Sequence, residues 1–148
     1  MLVLPDINVL LALVYGGHVH HAIAVAWLDQ AQGDGDLILC RVSQLGLLRL
    51  LNNPTVMGMD VQSGPEVWGT WDALLADRRF RFAEEPEGFG AQFRHLSTAF
   101  AHQPKRWQDA CLAAFAIAAN AELASFDTAF RSFPGLRHRI PGSETGPE

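Results

Sequence analysis

The chain has 148 residues, 49% hydrophobic and 18% charged, which suits one domain with its own core and excludes a disordered chain. Eleven basic against sixteen acidic residues give a net charge of −5, which argues against a broad basic nucleic-acid footprint but leaves a local one open, since ten of the eleven are Arg. The longest apolar run, Ala110 to Ala119, is about half of the ~20 residues a membrane span needs. Arg41 is the first basic residue and Pro5-Asp6 interrupts the early apolar stretch, so no secretory signal is expected either.

In chain order, Leu2-Val3-Leu4 reads as a short buried strand ending at Pro5-Asp6. Asn8 to Val14 and His18 to Gln32 carry apolar residues at helical spacing, and Gly33-Asp34-Gly35-Asp36 is a turn. Leu37 to Cys40 predicts a second strand. Ser43 opens a Leu-rich helix, Gln44 to Leu51, closed by Asn52-Asn53-Pro54. Ser63-Gly64-Pro65-Glu66 is a capping box ahead of a helix with Val67, Trp68, Trp71, Leu74 and Leu75; Trp68 and Trp71 are expected on one face. Arg79 to Phe82 alternates like a third strand, Phe89 to Phe100 is amphipathic, and Lys105 to Ala121 is strongly helical. Leu123 to Phe126 is a fourth strand ending at Asp127. The expected domain is 1–140, with a loose Gly/Pro/Ser/Glu-rich tail over 141–148. Cys40 and Cys111 lie in apolar segments without zinc spacing, as two buried thiols of a reduced, cytoplasmic protein would.

Continuous apolar strands alternating with long helices imply an α/β protein, a three-layer α/β/α sandwich around a parallel sheet. Such folds bind ligands beyond the carboxyl ends of their strands. Asp6 follows the first predicted strand, Asp127 follows the fourth, and Asp109 lies early in the helix leading into that fourth strand. If the two strands are neighbours, three carboxylates meet on one rim, an arrangement that is costly without a cation and suits Mg²⁺ or Mn²⁺. Each Asp also has a plainer reading: Asp6 and Asp127 as helix caps, Asp109 as a charge favoured by the helix dipole.

Leu4-Pro5-Asp6-Ile7-Asn8-Val9-Leu10-Leu11-Ala12-Leu13 resembles the opening of PIN-domain ribonucleases, in particular the VapC toxins of toxin–antitoxin pairs. His18-Val19-His20-His21-Ala22 with Trp27-Leu28, and Gln44-Leu45-Gly46-Leu47-Leu48-Arg49-Leu50 with Asn53-Pro54, resemble the next segments. Trp107 to Ala116 and Ser125 to Phe130 resemble the last two motifs, so the likeness runs in order from Leu2 to about Leu136. It implies an Mg²⁺- or Mn²⁺-dependent endoribonuclease with Asp6, Asp109 and Asp127 as its catalytic, metal-binding residues. Asn8, Gln44 and Ser125 would support them. The expected partners are an RNA substrate, a VapB-like antitoxin whose tail covers the site and an apolar groove including the Leu10 to Val14 stretch, and a second copy of the chain. Many PIN domains carry Glu where Gln44 stands here. The resemblance therefore predicts weaker attraction for a cation and keeps a second reading open, a catalytically weak PIN-fold module that binds RNA or protein.

Other features carry less. His18, His20 and His21 lack an H-E-x-x-H pattern and are read as structural or surface residues. The Trp residues are read as core and interface, and Arg78, Arg79 and Arg81 as an exposed strand edge. A haloacid-dehalogenase-like phosphotransferase needs a second Asp where Asn8 stands and a strand-end Lys, and the single Lys is Lys105.

Overall fold

The computed structural model describes residues 1–31 and 33–143. Five parallel strands form one sheet: β1 (Val3–Pro5), β2 (Leu37–Leu39), β3 (Phe80–Phe82), β4 (Glu122–Ala124) and β5 (His138–Arg139), in the order β3-β2-β1-β4-β5. The helices are α1 (Ile7–Val14), α2 (His21–Asp29), α3 (Arg41–Leu51), α4 (Pro54–Met57), α5 (Gly64–Ala76), α6 (Phe89–Ser97) and α7 (Arg106–Ala118), with short 3₁₀ turns at Gly58–Asp60 and Thr128–Ser132. This is the expected α/β/α sandwich.

The central strands are apolar because both faces of the sheet are covered. Leu37 and Leu39 of β2 pack with Leu10, Leu47, Leu51, Val67, Trp71 and Leu74, on the side of α1, α3 and α5. Ile38, between them, points to the opposite layer with Leu4, Leu96, Leu112, Phe115 and Leu123, on the side of α6 and α7. The small residues Ala110, Ala113, Ala114 and Ala116 let α7 lie close against the sheet. In register, β1 pairs with β4 as Val3 with Glu122, Leu4 with Leu123 and Pro5 with Ala124. Asp6 N–H donates to Ala124 O at 2.8 Å, so the chain segments carrying Asp6 and Asp127 leave the sheet side by side. Pro5 is tolerated as the last residue of its strand.

The sequence-derived boundaries shift at several points. Helix α3 starts at Arg41 rather than after Ser43, because Ser43 is buried and its hydroxyl lies 3.3 Å from Cys40 Sγ instead of capping an N-terminus. Strand β4 stops at Ala124, before Ser125 and Phe126, and α2 is shorter than the expected 18–32 stretch, whose last residue lies outside the described residues. The edge strand β5 is an addition, too short to leave a pattern in the sequence. Trp71 is buried while Trp68 is 49% exposed, so they do not share one environment. Both cysteines are free, but only Cys40 is buried; Cys111 is half-buried and its thiol is pushed up to about 11, by burial first and then by Cys40 and Glu85. The stretch Leu10–Val14 is largely core: only Leu13 and Val14 reach the surface, lining a groove of about 340 Å³ with Leu28, Leu74 and Phe80. Pro141 is buried, and residues 144–148 of the expected tail lie outside the described residues. Among the described residues no helix is long and apolar enough to cross a membrane.

Candidate active site

Asp6 is only 7% exposed and sits at the turn from β1 into α1. Its Oδ1 accepts from Ile7 N–H at 2.7 Å, so it caps α1, and its Oδ2 accepts from Ser125 Oγ–H at 2.7 Å. Ser125 is fully buried and is itself held: Asn8 Nδ2 donates to its Oγ at 3.2 Å, as does Asp127 N–H at 3.0 Å. Asn8 Oδ1 in turn accepts from Phe126 N–H at 3.3 Å. A continuous chain of hydrogen bonds thus joins Asp6, Ser125 and Asn8 across the β1/β4 junction. Asp127, exposed, caps the following turn through Ala129 N–H, which donates to its Oδ1 at 2.9 Å and leaves Oδ2 open among the described residues.

The electrostatics tie in the third carboxylate. Burial holds the Asp6 carboxyl above its ordinary value of 3.8, against the Ser125 and Ile7 hydrogen bonds, with Asp127 adding repulsion and His138 opposing it. Asp109, half-buried on the first turn of α7, is pushed up to about 6, by burial first and then by the charges of Asp6 and Asp127, against Arg106. Neighbouring negative charge therefore adds to burial in raising the proton affinity of Asp6 and Asp109.

The PIN domain family model matches residues 3–136. The chain belongs to the PIN domain family. It is 41% identical to Ribonuclease VapC41 of Mycobacterium tuberculosis over 143 residues, which covers 94% of this chain and 98% of that protein. Among solved structures, VapBC-1 from nontypeable Haemophilus influenzae superposes with a TM-score of 0.70 at 12% identity, over 97% of this chain and 100% of that one. VapC20 of Mycobacterium tuberculosis, a toxin described as cleaving the Sarcin-Ricin loop, gives a TM-score of 0.65 at 14% identity, over 91% and 98%. At such identities these two structures speak to the fold alone.

The donor chemistry of this PIN domain suits a divalent cation. Hard carboxylate oxygens, crowded and only weakly offset by Arg106 and His138, attract a small dication. The described residues nevertheless hold no ready-made cage of three or more His, Cys, Asp or Glu side chains. The three aspartates share a neighbourhood without closing on one point. Among the described residues, nothing donates to the Asp109 carboxylate and only one oxygen of Asp127 is engaged, so both side chains are at liberty to turn.

Gln44 is buried, and its Oε1 accepts from Arg41 Nη1. Its carbonyl is occupied by a guanidinium rather than directed freely at a cation. Of the three histidines near the start of α2, His21 Nδ1 lies 2.7 Å from Ala12 O, the backbone N–H of His20 donates to His18 Nδ1, and the His20 ring stacks on Phe126 at 4.6 Å. Arg79 forks onto Asp77 and Arg81 Nε donates to Gly35 O, while Arg78 makes only an exposed contact with Asp34 at 3.6 Å. Two residues near the carboxylates lie outside the sequence-derived set. Arg106 stands one helical turn before Asp109, a three-residue spacing that puts both on one face and is legible in the sequence. His138, whose Nε2 lies 3.0 Å from Ser125 O, belongs to the two-residue β5, which has no pattern to detect.

Ser125→Ala tests the scaffold. It leaves the buried Asp6 oxygen without its hydroxyl donor, and hydrogen bonds to charged groups are worth about 1.5–3 kcal/mol. Losing that donor moves the already raised Asp6 carboxyl further up. The variant is therefore expected to lose about 2 kcal/mol at pH 7.5, where Asp6 must be charged, and less at pH 4. Urea denaturation at both pH values reads this; equal losses would mean that Ser125 does not act through Asp6.

Proposed function

We propose that the chain is a divalent-cation-dependent endoribonuclease, the toxin of a VapBC-type pair, acting as one PIN domain over residues 1–140. The observation that carries this is the Asp6 carboxylate, buried at the β1/β4 junction between Ser125 and Ile7 N–H, with Asp109 and Asp127 in electrostatic reach. The family match and the 41% identity to a named ribonuclease over nearly the whole chain support the same reading.

Asp6, Asp109 and Asp127 are the residues that would hold Mg²⁺, with Mn²⁺ as substitute. Such an ion, when bound, would neutralise charge on a phosphodiester and lower the pKa of a water so that it could attack as hydroxide. The protein contributes orientation. The Ser125 hydroxyl and Ile7 N–H fix both Asp6 oxygens, and Asn8 keeps Ser125 in place. Asp109, whose carboxyl is pushed up to about 6, is mostly ionised at neutral pH and would be available to hold the ion. RNA must come to an acidic surface, so its backbone charge has to be met locally.

An antitoxin related to the partner in VapBC-1 is the fitting protein ligand. Its basic side chains would be drawn to the three anions and its apolar ones to the groove at Leu13 and Val14. A homodimer and a cytoplasmic location complete the proposal. Purified protein is expected to cleave structured RNA in Mg²⁺ or Mn²⁺ and to stop when the ion is chelated. RNA that stays intact in excess cation, yet still binds, would make the chain a PIN-fold binding module instead.

A further inference from the structure

The arginines divide by what holds their side chains. Arg79 pairs with Asp77 and Arg139 with Glu122 at 2.7 Å each, and Arg78, exposed, faces Asp34 at 3.6 Å ahead of β2 and β3, at the amino end of the sheet. Arg81 and Arg137 donate to Gly35 O and to Asn120, which lie before β2 and β4 and thus at the amino end of the sheet, away from the carboxylates. Among the described residues, the guanidinium groups of Arg49, Arg94 and Arg131 are fixed by no hydrogen bond, ion pair or ring. Arg41 and Arg106 stand apart from all of these.

Both are the first residue of a helix, α3 and α7, and both lie at the carboxyl end of the sheet, where Asp6 leaves β1. Both are aimed by neutral groups. Arg41 donates to the amide oxygen of Gln44 and lies 5.0 Å over the Phe82 ring. Arg106 donates to Ser132 Oγ and sits 4.7 Å from Phe133 and 5.3 Å from Phe100. An aromatic face and a neutral acceptor orient a guanidinium without cancelling its charge. The two arginines flank the carboxylates on opposite sides. Arg41 follows β2, on one side of β1; Arg106 is tied to Ser132, in the turn after β4, on the other. Arg106 is also close enough to favour the charged form of Asp109.

We propose that Arg41 and Arg106 are a pair of phosphate clamps that hold the RNA backbone across the acidic site, one on each side of the bond to be cut. The proposal rests on the ribonuclease reading and adds how an acidic protein holds its polyanionic substrate. It also gives Gln44 a function. A carboxylate at position 44 would form an ion pair with Arg41 and neutralise it, whereas the amide orients the same side chain and leaves its charge for phosphate. Glu84 and Glu85, which line the cleft of about 290 Å³ beside Arg41, form no ion pair with it among the described residues. They bound the clamp by repelling phosphate on that side.

The experiment uses the full chain and a fluorescently labelled RNA hairpin. Binding is followed by anisotropy in Ca²⁺ between 50 and 200 mM salt, and cleavage in Mn²⁺ is followed alongside. Arg41→Gln and Arg106→Gln keep a long polar stem, and a thermal melt checks that each variant is folded. Each is expected to weaken binding roughly five- to tenfold at low salt and to raise KM with little change in kcat. Each should also flatten the slope of log affinity against log salt by about 0.7, the share of one phosphate contact on a single strand. Gln44→Glu, which leaves both arginines in place, should reproduce the Arg41→Gln loss. Folded variants with wild-type affinity and salt slope, or with losses confined to kcat, overturn the clamp. If the wild type binds the hairpin with the expected arginine dependence but never cleaves it, the clamp stands and the ribonuclease reading falls.

Discussion

Asp6→Asn is expected to abolish cation-dependent RNA cleavage while leaving the fold intact and, without cation, more stable than wild type. The amide has the shape of the carboxylate, and its oxygen can still accept from Ile7 N–H or from Ser125 Oγ–H, while its Nδ2 meets the other donor, a local cost set against the relief of the buried charge. What disappears is the most buried of the three charges, and with it the strongest attraction for a dication on the rim. A residue that anchors a catalytic cation supports several kcal/mol of transition-state stabilisation, and each 1.36 kcal/mol is a factor of ten in rate, so a loss of about a thousandfold or more is expected. The gain in stability has the same origin. Burial and the Asp127 charge both penalise ionised Asp6, and an amide at that position removes the penalty. Single-turnover cleavage in Mn²⁺ and a thermal melt in chelator read the two halves. A variant that is both inactive and less stable than wild type would point to a damaged scaffold rather than a lost ligand.

The second large effect is the dependence of stability on pH and cation together. A carboxyl whose folded value is raised is favoured in its neutral form, so its penalty is absent in acid and grows as pH rises. For Asp109 the window runs from the ordinary 3.8 to about 6, and the full penalty persists above it. Without cation, the melting temperature of Asp109→Asn should therefore draw ahead of wild type between pH 4 and pH 7. With cation the order reverses, since a ligand that binds only the folded state at a hundred times its Kd adds about 2.7 kcal/mol. For a chain of this length that corresponds to a rise of roughly 5–10 °C in the wild type, and Asp109→Asn should gain much less. Parallel melts in chelator and in Mn²⁺ at several pH values test this. A wild-type melting temperature indifferent to Mn²⁺ at neutral pH would contradict it.

How much of this could be read from the chain depended on whether the determinant was local. Asp6 and Asp127 stand directly after apolar runs, so their placement at strand ends followed from pattern alone, whereas the β1/β4 pairing that sets their segments side by side was only a condition until the fold was seen. The double role of Asp6, as helix cap and as a member of the acidic cluster, means that the plain and the chemical reading describe the same side chain. Ser63 with Glu66 was recognisable because a capping box is complete within four residues. What stayed hidden is tertiary. The pairing of Gln44 with Arg41 depends on where α3 begins, and propensity favoured Ser43 over Cys40 as the residue preceding that start. The stack of His20 on Phe126, and His138 against Ser125 O, join residues through segments with no periodicity. Trp68 and Trp71 show the limit of helical spacing as a guide, since three residues around α5 separate core from solvent.

Whether Asp6, Asp109 and Asp127 act as one cation site is tested most directly by anomalous scattering from crystals soaked in Mn²⁺. The expected result is a peak about 2.0–2.3 Å from carboxyl oxygens of Asp6 and of at least one of Asp109 and Asp127, lost in Asp6→Asn. Manganese bound elsewhere, with nothing at Asp6 while the same protein still cleaves RNA, would contradict a shared site.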